Sequence, residues 1–195
     1  FTAGHMGSFF NVVSPNTNIG LDGWDQRDLT NTVAYTASLG NGITATVALE
    51  DGTIVNRQGV NSYSFGGTGG AYDGVTYGAN KLPDYIGVLT AAQSWGTIAL
   101  SGAVHTINTS SAVVGTEYGY ALQLGTKLNL PMLSNGSYLF LNGIYTNGAN
   151  AFSLRDVAGD VASGNKTSFG IGRVAVGMND MVIDGNNAVH KAQVW

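Results

Sequence analysis

The 195-residue chain is 44% hydrophobic but only 10% charged, where about 25% charged is usual for soluble proteins. The lack of cysteine excludes disulfides and thiolate metal sites, and a net charge of −4 argues against a nucleic-acid footprint, which needs clustered Lys and Arg. Aromatic and branched aliphatic residues are too plentiful for a disordered chain, while 29 glycines and so few charges do not suit a typical soluble surface.

Helical periodicity is scarce, whereas alternation of apolar and polar residues recurs from end to end. Strands are predicted, in chain order, at 1–10, 29–39, 43–50, 84–94, 97–107, 117–130, 137–147, 167–179 and 188–195. Most have about the 9–11 residues that a tilted strand needs to cross a bilayer, longer than the roughly 5–6 usual in soluble sheets. No apolar run approaches the roughly 18 residues of a membrane-spanning helix. The chain opens at Phe1 and closes at Trp195 inside strand patterns. It therefore reads as an internal piece of a longer protein, with strands missing on both sides.

The links between these strands alternate in length. Long ones cover 11–28, 51–83 and 148–166, with a medium one at 108–116; short ones lie at 40–42, 95–96, 131–136 and 180–187. All longer links therefore leave one rim and all tight turns the other, as in a transmembrane barrel.

The faces differ in kind. Over EYGYALQLGTKLNL, Tyr118, Tyr120, Leu122, Leu124, Thr126, Leu128 and Leu130 share one face, and Glu117, Gly119, Ala121, Gln123, Gly125, Lys127 and Asn129 the other. Tyr138 and Phe140, across the turn, are read with the tyrosines as an aromatic girdle edging the apolar band. Alternation alone leaves a soluble β-sandwich open. Charge decides against it: the polar faces carry Gly, Ala, Ser, Thr and Gln where a solvated sheet would carry Lys and Glu. The reading is all-β, an antiparallel transmembrane β-barrel, with residues 1–195 forming one partial barrel domain of about nine strands.

TVAYTASLGNGITATVALEDG (32–52), AQSWGTIALSGAVH (92–105) and EYGYALQLGTKLNLPM (117–132), together with FTAGHMGSFFN (1–11) and LFLNGIYTNGANAF (139–152), resemble the porins of alphaproteobacterial outer membranes. The resemblance spans nearly the whole chain. It implies a 16-stranded barrel in the bacterial outer membrane, a homotrimer surrounded by outer-membrane lipid and passing small hydrophilic solutes and ions. It further implies that the loop 11–28, with Asp22, Asp25, Arg27 and Asp28, folds into the barrel and narrows the channel. The bland alternative for these aspartates is a solvated turn.

His5 stands where such porins often have Arg, which would weaken a basic wall at neutral pH. The pore wall is assigned to His5, Thr46, Glu50, Ser101, His105, Glu117, Gln123 and Lys127; Arg173 is a further basic candidate. His5, His105 and His190 lie on separate strands without acidic or thiol partners at ligand spacing, so no metal site is read. No nucleophile elbow or acid–base constellation stands out, and SFGGTGGAYDG (64–74) is a single copy of a Gly/Asp pattern that binds calcium only as stacked repeats. No enzyme activity, cofactor or nucleic-acid partner is implied. The rival functions are a solute-selective channel on the same barrel and a non-conducting surface β-protein such as an adhesin.

Overall fold

The protein is described by a computed structural model covering residues 1–13, 29–52, 60–62, 78, 81–109, 114–153, 180–183, 189–191, 193 and 194. Seven longer strands form it: β1 (Thr2–Gly7), β2 (Leu29–Gly40), β3 (Ile43–Glu50), β5 (Asp84–Gln93), β6 (Gly96–Asn108), β7 (Thr116–Asn129) and β8 (Tyr138–Asn147). Four short ones join them: β4 (Val60–Ser62), β9 (Met181–Ile183), β10 (Val189–Lys191) and β11 (Gln193–Val194). The main sheet runs β1-β2-β3-β5-β6-β7-β8-β11, and every pair in it is antiparallel. A small second sheet, β10-β9-β4, joins segments from the links that follow β3 and β8, with β4 and β9 parallel.

The strands of the main sheet are long because nothing interrupts their alternation: β2 has 12 residues, β6 13 and β7 14. The turn between β2 and β3 is as short as its sequence allows. Gly40, Asn41 and Gly42 all take positive φ, a run that GNG tolerates and branched residues would not.

The sheet wears its apolar side outward. Leu89, Leu100 and Leu124 are cross-strand neighbours and each is about half exposed, as are Val33, Val47, Leu49, Val104, Leu122 and Leu141. Tyr85, Tyr118, Tyr120 and Tyr145 edge this band towards the rim of the long links, and Trp95 lies at the short-turn rim. Each half-exposed Leu forgoes on the order of 1 kcal/mol of transfer free energy in water. So large a contiguous apolar surface belongs against hydrocarbon, not water.

The buried groups lie on the other face: Ala34, Ala48, Ile86, Val88, Ala99, Ala103 and Ala121 pack beneath Phe10, Val13, Ala149 and Phe152. These four come from the long-link rim. Phe10 follows Ser8, whose Oγ accepts a hydrogen bond from Phe10 N–H and caps a short 3₁₀ turn, Phe9–Asn11. Phe152 ends a second such turn, Asn150–Phe152.

Several expectations need correction. The phase read across the turn at 131–136 is wrong for the aromatics: Asn129 pairs with Tyr138 and Lys127 with Phe140, so both rings share the face of Lys127, and the outward aromatic of β8 is Tyr145. The link 180–187 is not merely a tight turn, because it contains β9. The strand predicted at 188–195 divides between β10 and β11, which serve different sheets. The long link 51–83 contains β4. The strand predicted at 167–179 lies outside the described residues.

Candidate pore lining

Register arranges the inner face in rows that cross the strands. A row near the long-link rim runs Thr32, Glu50, Asp84, His105 and Gly119. Below it comes Ala34, Ala48, Ile86, Ala103, Ala121 and Thr146. The next row is Thr36, Thr46, Val88, Ser101, Gln123 and Ile144. Towards the short turns, Thr97, Lys127 and Phe140 stand side by side. Largely polar rows thus flank a row made mostly of alanine, and the inward turns pack against these alanines and Ile86.

The first row carries the strongest chemistry. His105 Nδ1 lies 2.6 Å from Asp84 Oδ1, and its Nε2 lies 3.6 Å from Asp180 Oδ2. Asp180 Oδ1 in turn accepts the backbone N–H of Asn150 at 2.7 Å, and Asn150 Oδ1 accepts the hydroxyl of Thr146 at 2.7 Å. On the neighbouring strand, Glu50 Oε1 accepts the backbone N–H of Phe9 at 2.7 Å. Glu50, Asp84, His105 and Asp180 are all at most 2% exposed. Buried ionisable groups persist only where hydrogen bonds and opposite charges offset their lost hydration. Here each bond has a mechanical result, since Glu50 holds the turn that bears Phe10 and Asp180 holds the turn that bears Phe152.

Elsewhere the lining is milder. Thr36 and Thr46 hydroxyls lie 2.8 Å apart, and Gln123 donates from Nε2 to Asn142 Oδ1 at 2.9 Å. Lys127 places its ammonium 4.5 Å from the ring centre of Tyr138, with its side chain open to solvent. Glu117 Oε2 meets Lys191 Nζ of β10 at 3.0 Å, and the same ammonium donates to the carbonyl of Tyr118.

A long antiparallel sheet with grease outside and carboxylates, amides and hydroxyls inside is the wall of a membrane barrel. The profile of the porin subfamily matches residues 1–191. The chain belongs to the porin family. No curated protein and no solved structure matches it.

Porins are outer-membrane β-barrels, and the geometry sorts the candidates in this one. Thr46, Glu50, Ser101, His105 and Gln123 lie on the inner face, buried beneath or beside the inward turns; Lys127 lies on it exposed, and Glu117 lies at its rim in an ion pair. His5 does not lie there. Its partner in the ladder is Asn31, which shares the outward parity of Val33, and the ring sits 3.2 Å from Asn31 Oδ1. Asp22, Asp25, Arg27, Asp28 and Arg173 lie outside the described residues.

His105 also has the acidic neighbours that sequence spacing did not give it. Asp84 could have been found, since the antiparallel hairpin of β5 and β6 brings it next to His105. For Asp180, Asn150, Phe10 and Phe152 no local signal exists, because their meeting depends on how the rim segments turn inward.

Proposed function

We propose that this porin forms a passive, water-filled channel through the bacterial outer membrane for small hydrophilic solutes and ions. The observation that carries the reading is the reversed polarity of the sheet. Leu89, Leu100 and Leu124 face outward, while the adjacent inward positions hold Thr46, Ser101, Gln123 and the row of Glu50, Asp84 and His105. The inner-face groups open to solvent, Thr36, Lys127 and Asn142, keep water continuous along the wall, so a hydrated solute can pass without shedding its shell into hydrocarbon. Transport follows the concentration gradient, and no chemical step is asked of any residue.

The chain is read as part of one barrel domain that works in a homotrimer bathed in outer-membrane lipid. Asp22, Asp25, Arg27 and Asp28, in the link whose first residues already turn onto the inner face, would add fixed charges at the narrowest section and bias which ions enter. Of the other wall candidates, Glu117 and Lys127 reach solvent, while Thr46, Glu50, Ser101, His105 and Gln123 form the buried polar backing of the wall. Reconstitution of the full-length protein in a planar lipid bilayer tests the proposal. Stepwise, ohmic current increments on insertion are expected; correctly folded protein that gives none would refute it.

A further inference from the structure

Two rim segments, not one, turn onto the inner face. The first is Ser8–Val13, after β1; the second is Gly148–Ser153, after β8. Each has its own seat on β7. A side-chain carbon at Gly119 would overlap the carbonyl oxygen of Gly148, and one at Gly125 would stand 2.8 Å from that of Val13. Only glycine lets these backbones lie so close to the strand. The second segment enters through Gly148 itself, at φ +66.

Once seated, the two segments meet. The rings of Phe10 and Phe152 contact edge to face with centroids 4.9 Å apart, at 0% and 1% exposure. A carboxylate also tethers each: Glu50 to Phe9 N–H, and Asp180 to Asn150 N–H. Seat, tether and shared aromatic contact join the pair into one packed unit on the wall.

We propose that Ser8–Val13 and Gly148–Ser153 act as a single composite shelf that narrows the pore, so that the size limit for solutes is set jointly by segments from two rim links. The inference rests on the channel reading above. The shelf is built by packing, so its effect is on the bore available to neutral as well as charged solutes. Because Phe10 and Phe152 brace each other, losing either ring frees both segments.

The test combines single-channel conductance with proteoliposome swelling in a graded series of neutral sugars. The proteins are the wild type, Phe152→Ala, Phe10→Ala, the double variant and Gly119→Ala. Leu141→Ala, on the outward face, serves as control. Both phenylalanine variants are expected to conduct in larger steps and to admit larger sugars, and the double variant to gain little beyond either single one. Leu141→Ala is expected to match the wild type. If Gly119→Ala fails to fold, the phenylalanine variants decide alone. Wild-type step size and sugar limit in folded Phe152→Ala and Phe10→Ala would overturn the shelf while leaving the channel intact. A wild type without current steps would overturn the channel reading and the shelf's filtering role with it.

Discussion

His105 and Asp84 face each other across two neighbouring strands, Nδ1 to Oδ1 at 2.6 Å, both sealed from solvent on the inner wall. The contact follows from the antiparallel register of β5 and β6, which sets Tyr85 opposite Val104 and so places Asp84 beside His105. The pair lies at the junction between the wall and the turn carrying Phe152, through Asp180.

Removing one member leaves the other buried beside empty space. His105→Ala is expected to lower the stability of the folded barrel by about 3–5 kcal/mol. The readout is the temperature at which the compact form in SDS converts to the extended one. Ser101→Ala, which removes only a small hydroxyl from the same face, should shift it far less.

Val47 and Thr36 give a direct contrast between the two faces. They lie on paired strands, Val47 outward and 62% exposed, Thr36 inward and exposed. An arginine near the middle of the lipid-facing band costs about 2–4 kcal/mol, whereas lumen positions tolerate charge. Val47→Arg should therefore cut folding yield in lipid vesicles sharply, and Thr36→Arg should fold and shift selectivity towards anions.

Lys127 is an exposed positive charge on the inner wall. Its contact with Tyr138 is worth only about 0.5–1 kcal/mol at an exposed site, so Lys127→Gln should fold normally. Its effect belongs to permeation: the reversal potential under a salt gradient should move towards cation preference. An unchanged reversal potential would place Lys127 off the ion path.

Gly87 and Gly102 pair on the outward face, where a side chain at either would meet nothing within 4 Å. They floor a trough of about 960 Å³ bordered by Tyr85, Tyr120 and Tyr145. Glycine in a strand weakens it by roughly 0.5–1 kcal/mol relative to alanine. Gly102→Val should thus raise the unfolding temperature of the compact form, or at least not lower it.

Much of the wall was legible because strand periodicity is local. In β2, β3 and β5 to β8, alternation located each strand to within about two residues, and in β2, β3, β6 and β7 it separated outward from inward positions. Where reading failed, something non-local intervened. Tyr138 and Phe140 were assigned outward because the phase cannot be carried through a six-residue turn without the register that pairs Lys127 with Phe140. His5 looked inward by analogy, but the pairing of β1 with β2 sets it beside Asn31 on the opposite face. The strands β4 and β9, three residues each, are too short for any period to show. Of the inner charged row, Glu50 and His105 were legible as polar positions, but not the network joining them to Asp84, Asp180 and the two inward turns. That network is tertiary.

The central claim is that side chains alternate between lipid and an aqueous lumen, and the absence of cysteine from these 195 residues makes it directly measurable. Single cysteines at Leu100, Leu122 and Leu124, and at Thr36, Thr97 and Lys127, would be labelled with an environment-sensitive fluorophore in the reconstituted protein. The first three should be quenched by a lipid-borne nitroxide and spared by aqueous iodide, and the last three should show the reverse. Labels at Leu100, Leu122 and Leu124 shielded from both quenchers would mean that these side chains fill a closed protein core, and would contradict the account.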